Sequence, residues 1–450
     1  MIDWFLSLEM ENRIALGGVI VAIIVAIVTP AIRFFISLWR EREKKKAAQL
    51  QTLRHNLPAR NQLFVNRDKE IDGMLEAIES GKDFQFHATG GMGKTSVVIE
   101  GVHRLLEKSR GKLPKCFADG IFIHRFYQQS RIEDAFRELC EFLNSEFKSE
   151  SPLLSAQKAC AGKKLLFILD GIEETKHINR IRELPPGIVL VSTTRDKGKL
   201  SDAQQKDLPL LSKEHAFALL KKISKKEPFL GVYQEIVDYT GGYTLSLYLL
   251  GKAVNSDNFS MKEWLAIKNN GLDLKNHADE KHQRQHTGNI VQAVLEKLSP
   301  HGKSMFAMLG QLSFTEIDEA LLFEFYSHEK ETGTFTALRH LDRHHLIERE
   351  DSKIIFSHRH IYEYARRMEY EEIETLAEFW LRKFNGSRED QRQFRLSDAL
   401  LPHLEALSDG LERRGLHAPT MALLITIGSY NFNTSNFSFA REIFTKGLAI

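Results

Sequence analysis

The stretch Phe84-Gln85-Phe86-His87-Ala88-Thr89-Gly90-Gly91-Met92-Gly93-Lys94-Thr95 decides the fold. Residues 84–88 read as a short strand running into a glycine-rich turn, and residues 94–107 as the helix that leaves it. The turn has an alanine, four variable positions, then Gly93-Lys94-Thr95. Glycines there let consecutive backbone N–H groups turn inward around phosphate oxygens, where side chains would collide. The following helix points its N-terminus at the same anion. Lys94 would reach the β- and γ-phosphates, and the Thr95 hydroxyl would ligate Mg²⁺. Gly90, Gly91, Met92, Gly93, Lys94, Thr95 and Ser96 are therefore the expected phosphate contacts for ATP or ADP. A chance glycine-rich turn is the bland alternative; the strand before it and the helix after it argue against that.

Residues 120–124, 165–169 and 188–192 read as further, nearly continuously apolar strands, separated by amphipathic stretches such as 132–147. That alternation predicts an α/β fold, a parallel sheet with helices on both faces. The strand at 165–169 ends in Asp170. Placed next to the phosphate-loop strand in the sheet, it would set Asp170 to hold Mg²⁺ through water. Glu173 and Glu174 follow; one would orient or deprotonate the attacking water, and Glu174 is assigned that role, the plainer alternative being the start of a solvated helix. Ser192-Thr193-Thr194-Arg195 ends the last strand with an arginine placed to sense the γ-phosphate.

The chain has 450 residues, room for about three domains. A formal net charge of +2 gives no sign of a nucleic-acid binder. Three cysteines, Cys116, Cys140 and Cys160, form no CxxC pair and no even set, which fits a reducing compartment and no zinc site. Residues 14–32 carry no charge and would form a helix of roughly 28 Å, enough to cross a bilayer. Acidic residues at 3, 9 and 11 speak against a signal peptide. Arg33, Arg40, Arg42, Lys44, Lys45 and Lys46 follow the run and only Arg13 precedes it, so the positive-inside bias places the rest of the chain in the cytoplasm.

After residue 211 strands become scarce. Residues 212–225 and 233–254 read as helical, 276–288 as a polar, His-rich loop, and helices resume from Asn289, with a short strand pair around 346–356. His277, His282 and His286 lie in hydrophilic surroundings without cysteine, so a solvated loop is expected rather than a metal site.

In order along the chain, several segments resemble the STAND class of signalling ATPases, which includes NB-ARC and NACHT proteins. Phe64-Val65-Asn66-Arg67-Asp68-Lys69-Glu70 resembles the family's "FVGREKEL" segment, with Asn66 in place of glycine. The resemblance implies that Val65 and Arg67 line the adenine pocket. Residues 118–123 are similar to the family's second strand. Asp170-Gly171-Ile172-Glu173-Glu174 resembles the NACHT form, whereas Ser192-Thr193-Thr194-Arg195 resembles the NB-ARC form. Residues 240–247 look like "GGLPLAL", with Thr244 where the family has proline. Residues 356–365 are similar to the winged-helix "MHDLVREYA" motif. His358 then matches the histidine that contacts the ADP β-phosphate at rest, and Arg359 replaces the aspartate. Ile427, Gly428, Phe437, Ala440, Phe444 and Leu448 fall where a tetratricopeptide repeat expects them, an ordinary helical hairpin being the alternative. A solitary repeat would need neighbours to bury its faces, which points to a longer protein.

The resemblance implies this division: a span and basic segment at 1–46, a linker at 47–61, a nucleotide-binding domain at 62–210, and a helical subdomain at 211–275. A linker at 276–289, a winged-helix domain at 290–370 and a helical region opening the repeats at 371–450 complete it. It further implies an ATP-hydrolysing switch, closed on ADP until a protein or other trigger docks on the C-terminal repeats. The switch would then oligomerise with its own kind and act at the membrane, as an immune or cell-death response would require. No nucleic-acid partner is expected. The rival reading is a membrane-tethered scaffold that holds nucleotide, hydrolyses it slowly and recruits a protein partner.

Overall fold

Successive residues of β3 (Leu165–Asp170) are buried on opposite sides of a sheet. Leu165, Phe167 and Leu169 enter one apolar cluster; Leu166 and Ile168 enter another. Only a strand covered on both faces can be apolar throughout in this way. Helices α3 (Ile132–Phe142) and α4 (Pro152–Cys160) fill the first cluster, and α1 (Asp68–Glu79) and α2 (Lys94–Lys108) the second. The other strands are β1 (Phe84–His87), β2 (Gly120–Arg125), β4 (Ile188–Thr194) and β5 (Gln204–Asp207). All five are parallel in the order β2-β3-β4-β1-β5. One expectation is corrected here. β3 does not lie next to the phosphate-loop strand, because β4 is inserted between them.

The computed structural model describes residues 54–224, 230–255, 264, 280–326, 331–389, 394–434 and 436–450. The candidate span at 14–32, the basic flank to Lys46 and His277 lie outside them. Among the described residues no helix is long and apolar enough to cross a membrane. Part of the stretch expected as a linker before residue 62 packs on the nucleotide domain. Asn56 exchanges two hydrogen bonds with the backbone of Ile123 on the edge strand, at 2.9 and 2.7 Å. Arg60 grips the buried Glu100 of α2 through two nitrogens, at 2.7 and 2.6 Å. A covered edge is one that cannot recruit a further strand.

Beyond the sheet come α5 (Lys213–Ile223), α6 (Leu230–Thr240) and α7 (Thr244–Asn255). The helical stretch expected at 233–254 is two helices, because Gly241 and Gly242 turn the chain at φ +58° and +84°. A Cβ on Gly242 would stand 2.1 Å from the Leu211 carbonyl oxygen, so the turn requires glycine. The His-rich stretch expected as a loop is also corrected. It is helical from Glu280 onward, within α8 (Glu280–Leu295), which carries His282 and His286. Polar composition there did not mark a break in the chain. No cluster of metal-ligating side chains occurs among the described residues.

A compact unit follows: α9 (Pro300–Gln311), β6 (Ile317–Asp318), α10 (Glu319–Phe325), α11 (Glu331–Arg343), and the hairpin β7 (Ile347–Glu350) and β8 (Lys353–Phe356). Its sheet is antiparallel in the order β6-β8-β7. From β8 the chain enters α12 (Arg359–Arg366), then α13 (Ile373–Glu389), α14 (Phe394–Arg413), α15 (His417–Asn433) and α16 (Phe437–Leu448). In the last pair Ile427 and Ala440 are buried and Gly428 leaves room for the Phe444 ring, which a Cβ would meet at 2.5 Å. Phe437 and Leu448 are exposed. This end folds back on the nucleotide domain. Arg131 donates to Asn431 at 3.3 Å and lies 4.6 Å from the centre of the Phe439 ring.

α12 is positioned by a backbone-to-backbone approach to α9. A Cβ on Gly310 would lie 2.4 Å from the Ala365 carbonyl carbon, so the two helices cannot meet this closely with any larger residue. Gly310→Ala should therefore push α12 outward and destabilise the protein by about 1–3 kcal/mol, the usual cost of overpacking. Urea unfolding should show a lower midpoint at unchanged slope.

Candidate nucleotide site

The phosphate loop joins β1 to α2. Gly91 and Gly93 have φ of +77° and +88°, values that an L side chain rarely adopts. A Cβ on Gly91 would meet the Tyr243 hydroxyl oxygen at 2.4 Å. Lys94 donates to the carbonyls of Ala88 and Thr89 at 2.7 and 3.0 Å, which holds its ammonium within the loop. The helical subdomain grips the same loop. Tyr243 Oη donates to Gly90 O at 2.6 Å, and the Leu245 N–H donates to Gly91 O at 3.0 Å. Thr244, which stands where proline was expected, donates to Met92 O at 3.3 Å.

Asp170 ends β3 beneath this loop. Its Oδ1 accepts from Thr95 Oγ1 and from Thr193 Oγ1, each at 2.6 Å. Asp170 thus reaches Thr95 across the end of the inserted β4. Burial pushes the Asp170 carboxyl up, against the opposing pull of the two hydroxyls and of the Arg125 and Lys94 charges. A hydroxyl and a carboxylate brought together beneath a loop of inward N–H groups form the hard-oxygen donor set that Mg²⁺ favours. Thr95 and Asp170 would hold the ion, which when bound neutralises charge on the β- and γ-oxygens.

The segment before α1 is strained. Asn66 and Arg67 take φ of +39° and +100° in succession. Asparagine tolerates the left-handed region, which accounts for Asn66 where glycine was expected. Its side-chain amide bonds the His215 ring, and Lys222 donates to Phe64 O at 2.7 Å, so α5 holds the segment in place. Val65 is half-buried; Arg67 is buried, with Nη2 lacking a hydrogen-bond partner, and burial lowers its affinity for its proton. An unpaired guanidinium nitrogen at this place fits a nucleotide acceptor.

The carboxyl end of the sheet carries the remaining groups. Arg195 Nε lies 3.2 Å from Glu173 Oε1, and Tyr127 Oη donates to the same oxygen at 2.7 Å. α12 closes over them. Arg359 Nη2 donates to Glu174 Oε2 at 3.2 Å, and Glu363 lies 3.5 Å from Arg195. The His360 ring lies over the loop, so close that a Cβ on Gly90 would stand 2.2 Å from Nε2. Burial works against ionisation of Glu363. A hydrogen bond from His360 and the charges of Arg195 and Arg359 nevertheless hold its carboxyl well below the usual range.

His358 caps the N-terminus of α12, its Nδ1 accepting the His360 N–H at 3.1 Å. Burial, then the positive charges of its neighbours including Arg195 and Lys94, hold its pKa well below the ordinary value. The ring is therefore neutral at pH 7, and with Nδ1 accepting, the proton sits on Nε2.

Lys94, Thr95, Asp170, Glu174, Arg195 and His358 are thus drawn to one place. Sequence reasoning missed Arg125, Tyr127, His360 and Glu363. Arg125 ends β2 as the register partner of Asp170. The rule that singled out Asp170 and Arg195, charged residues at strand carboxyl ends, applies equally to it. For α12 the signal was the spacing of Arg359, His360 and Glu363 on one helical face.

Loop, sheet order and the Thr95–Asp170 contact define the class: an α/β P-loop nucleotide-binding protein. No family model and no curated protein matches the chain. Among solved structures it is similar to a signal-transduction ATPase with numerous domains (STAND), carrying a tetratricopeptide-repeat sensor, from Pyrococcus horikoshii. The identity is 15% and the TM-score 0.49, over 86% of this chain and 64% of that one. The chain thus spans less than two thirds of that protein's length. A Walker-type ATPase of Pyrococcus abyssi matches at 13% identity and TM-score 0.33, over 70% of this chain and 99% of that one. RuvB of Thermotoga maritima matches at 11% and 0.29, over 68% and 97%.

Lys94→Ala should weaken ATP binding by at least about tenfold to a hundredfold, the worth of a charge-assisted phosphate contact. Far-UV circular dichroism should be unchanged. Wild-type affinity in equilibrium binding to a fluorescent ATP analogue would contradict the loop assignment.

Proposed function

We propose that this chain is a STAND-type ATPase switch held closed on ADP by its winged-helix region, the unit from α9 to α12. The observation that carries the reading is the docking of α12. One short helix meets the phosphate loop through His360, Glu174 through Arg359, and Arg195 through Glu363. A helix so placed senses what occupies the loop. A γ-phosphate adds charge and bulk among these groups, and differential interaction of that kind shifts a closed-to-open equilibrium. His358 supplies the resting contact, its Nε2–H donating to a β-phosphate oxygen of ADP.

In this reading the C-terminal helices begin a repeat sensor and cover the nucleotide domain at rest through Arg131. A protein or other trigger on the repeats releases them, ADP exchanges for ATP, and the opened chains oligomerise. Residues 14–32 anchor the chain with its ATPase domain in the cytoplasm, and the output is delivered at the membrane, in defence against infection or in cell death. The scaffold alternative draws on one observation: Glu174 is half-buried and paired with Arg359, an arrangement in which turnover is slow. Phosphate release by the full chain, with and without Glu174→Gln, separates switch from scaffold.

His358→Ala removes a contact worth about 1.5–3 kcal/mol and shifts the closed-to-open ratio by about one to two powers of ten. The purified variant should retain less ADP and form trigger-independent oligomers on size-exclusion chromatography. Arg359→Ala, tested separately, shows whether the guanidinium shares the hold. If both variants keep ADP and stay monomeric, the winged-helix lock is not what holds this protein off.

Removal of residues 1–46 should leave ATP affinity unchanged and release the protein from the membrane fraction, because the phosphate loop, Thr95, Asp170, Glu174 and Arg195 all come from residues 84–195. Full biological output from the truncated chain would refute an effector role for that segment.

A further inference from the structure

Glu173 and Glu174 leave one short turn, Ile172–Glu174, yet different parts of the molecule hold them. Glu173 is held from within the nucleotide domain. Its Oε1 accepts from Tyr127 at 2.7 Å and lies 3.2 Å from Arg195 Nε, while its Oε2 is buried without a hydrogen-bond partner. The Tyr127 ring is itself pinned, since a Cβ on Gly171 would stand 2.3 Å from it, and it carries the Arg195 guanidinium 5.8 Å from its centre. That distance is within reach of cation–π attraction. Glu174 has no such tie. Among the described residues its one ion pair is with Arg359, 3.2 Å away on α12, a helix outside the nucleotide domain.

A carboxylate whose oxygen already accepts from a phenol and faces a guanidinium is fixed in place by its own domain and is not free to turn toward a water. A carboxylate whose only partner can be withdrawn behaves differently. Burial pushes the Glu174 carboxyl up and the Arg359 charge, the largest opposing influence, pulls it down; once α12 takes Arg359 and the weaker Glu363 charge away, burial and the Glu173 charge are opposed by Arg195 alone, which strengthens the hold of Glu174 on a proton.

We infer that Tyr127 and Glu173 are a positioning pair that fixes Arg195, that Glu174 is the carboxylate that accepts the proton of the attacking water, and that Arg359 occupies Glu174 until α12 lifts. This rests on the reading of the chain as an ATP hydrolase and assigns the roles within it. The step balances. The water oxygen bonds to the γ-phosphorus as the bond from that phosphorus to the β,γ-bridging oxygen breaks. The electron pair of the broken bond leaves with ADP, and the water's proton passes to Glu174. Arg359 thus makes the domain that closes the switch also the one that withholds the base. This accounts for an arginine where the resemblance expects aspartate.

The test uses the full chain, with phosphate release and ATP affinity measured separately. Glu174→Gln should lower kcat by about 10²–10⁴, the span of a general base, at unchanged ATP affinity. Glu173→Gln and Tyr127→Phe should each cost less, and the double variant should be no slower than the slower single, because the two act as one unit. Arg359→Ala should raise kcat several-fold, and Arg359→Lys, which keeps the charge, should stay near the wild-type rate. If Glu173→Gln abolishes turnover while Glu174→Gln keeps it, the assignment of roles is wrong. A rate in Arg359→Ala at or below wild type removes the withholding role. If neither wild type nor Arg359→Ala turns over the ATP it binds, the hydrolase reading fails, and this inference with it.

Discussion

A single buried carboxylate oxygen, Asp170 Oδ1, ties the nucleotide domain together by accepting from Thr95 and Thr193 at 2.6 Å each. A carboxylate removed from water is costly unless it is hydrogen-bonded or paired. Here the need is met by hydroxyls from two other elements, the first turn of α2 and the end of β4. The three elements are therefore fixed relative to one another at the carboxyl end of the sheet. Everything that reads the nucleotide is hung from that corner. Thr193 also accepts the Gly171 N–H at 2.9 Å, so the turn that carries Glu173 and Glu174 is set by the same node.

The second constraint is charge carried by a different unit of the chain. At the sheet end stand Glu173, Glu174 and Arg195; across from them α12 offers Arg359 and Glu363. Glu174 pairs with Arg359 and Arg195 with Glu363 across the boundary, whereas Glu173 is held from its own side, so the contact satisfies groups that the nucleotide domain alone leaves partly unpaired. Partly buried pairs of this sort are costly to break one-sidedly. The switch proposed above requires that property, since two arrangements with their own partners leave few intermediates. The glycine at 310 contributes by letting α12 lie close enough to α9 for its charged face to be carried to the sheet as one body with the β-hairpin unit.

Much of the nucleotide core was legible because its signals are local. Four of the five strands, the glycine loop, the helix after it and the charged residues at strand ends follow from chain-neighbour chemistry. β5 was not, since Gln204–Asp207 is polar and exposed and is a strand only through its bonds to β1. The order of strands was not legible either: an apolar strand ending in aspartate states that it is buried, not which neighbour it takes. The stretch at 280–289 failed for another reason. Histidine and glutamine describe wetness, whereas the helix there is imposed by packing of Ile290, Val291 and Val294 further along the same element.

By itself the sequence determined the chemistry that requires particular atoms at fixed chain spacing: glycines with positive φ, a lysine and a hydroxyl at the start of a helix, a carboxylate closing an apolar strand. Those requirements are met within a dozen bonds and leave a pattern. Only the tertiary structure decided that β4 separates Asp170 from the loop strand, that His360 lies on Gly90, and that Arg359 faces Glu174 across 185 positions of chain. Contacts of that kind depend on how whole domains seat against each other, and seating is governed by summed burial and charge rather than by any spacing along the chain.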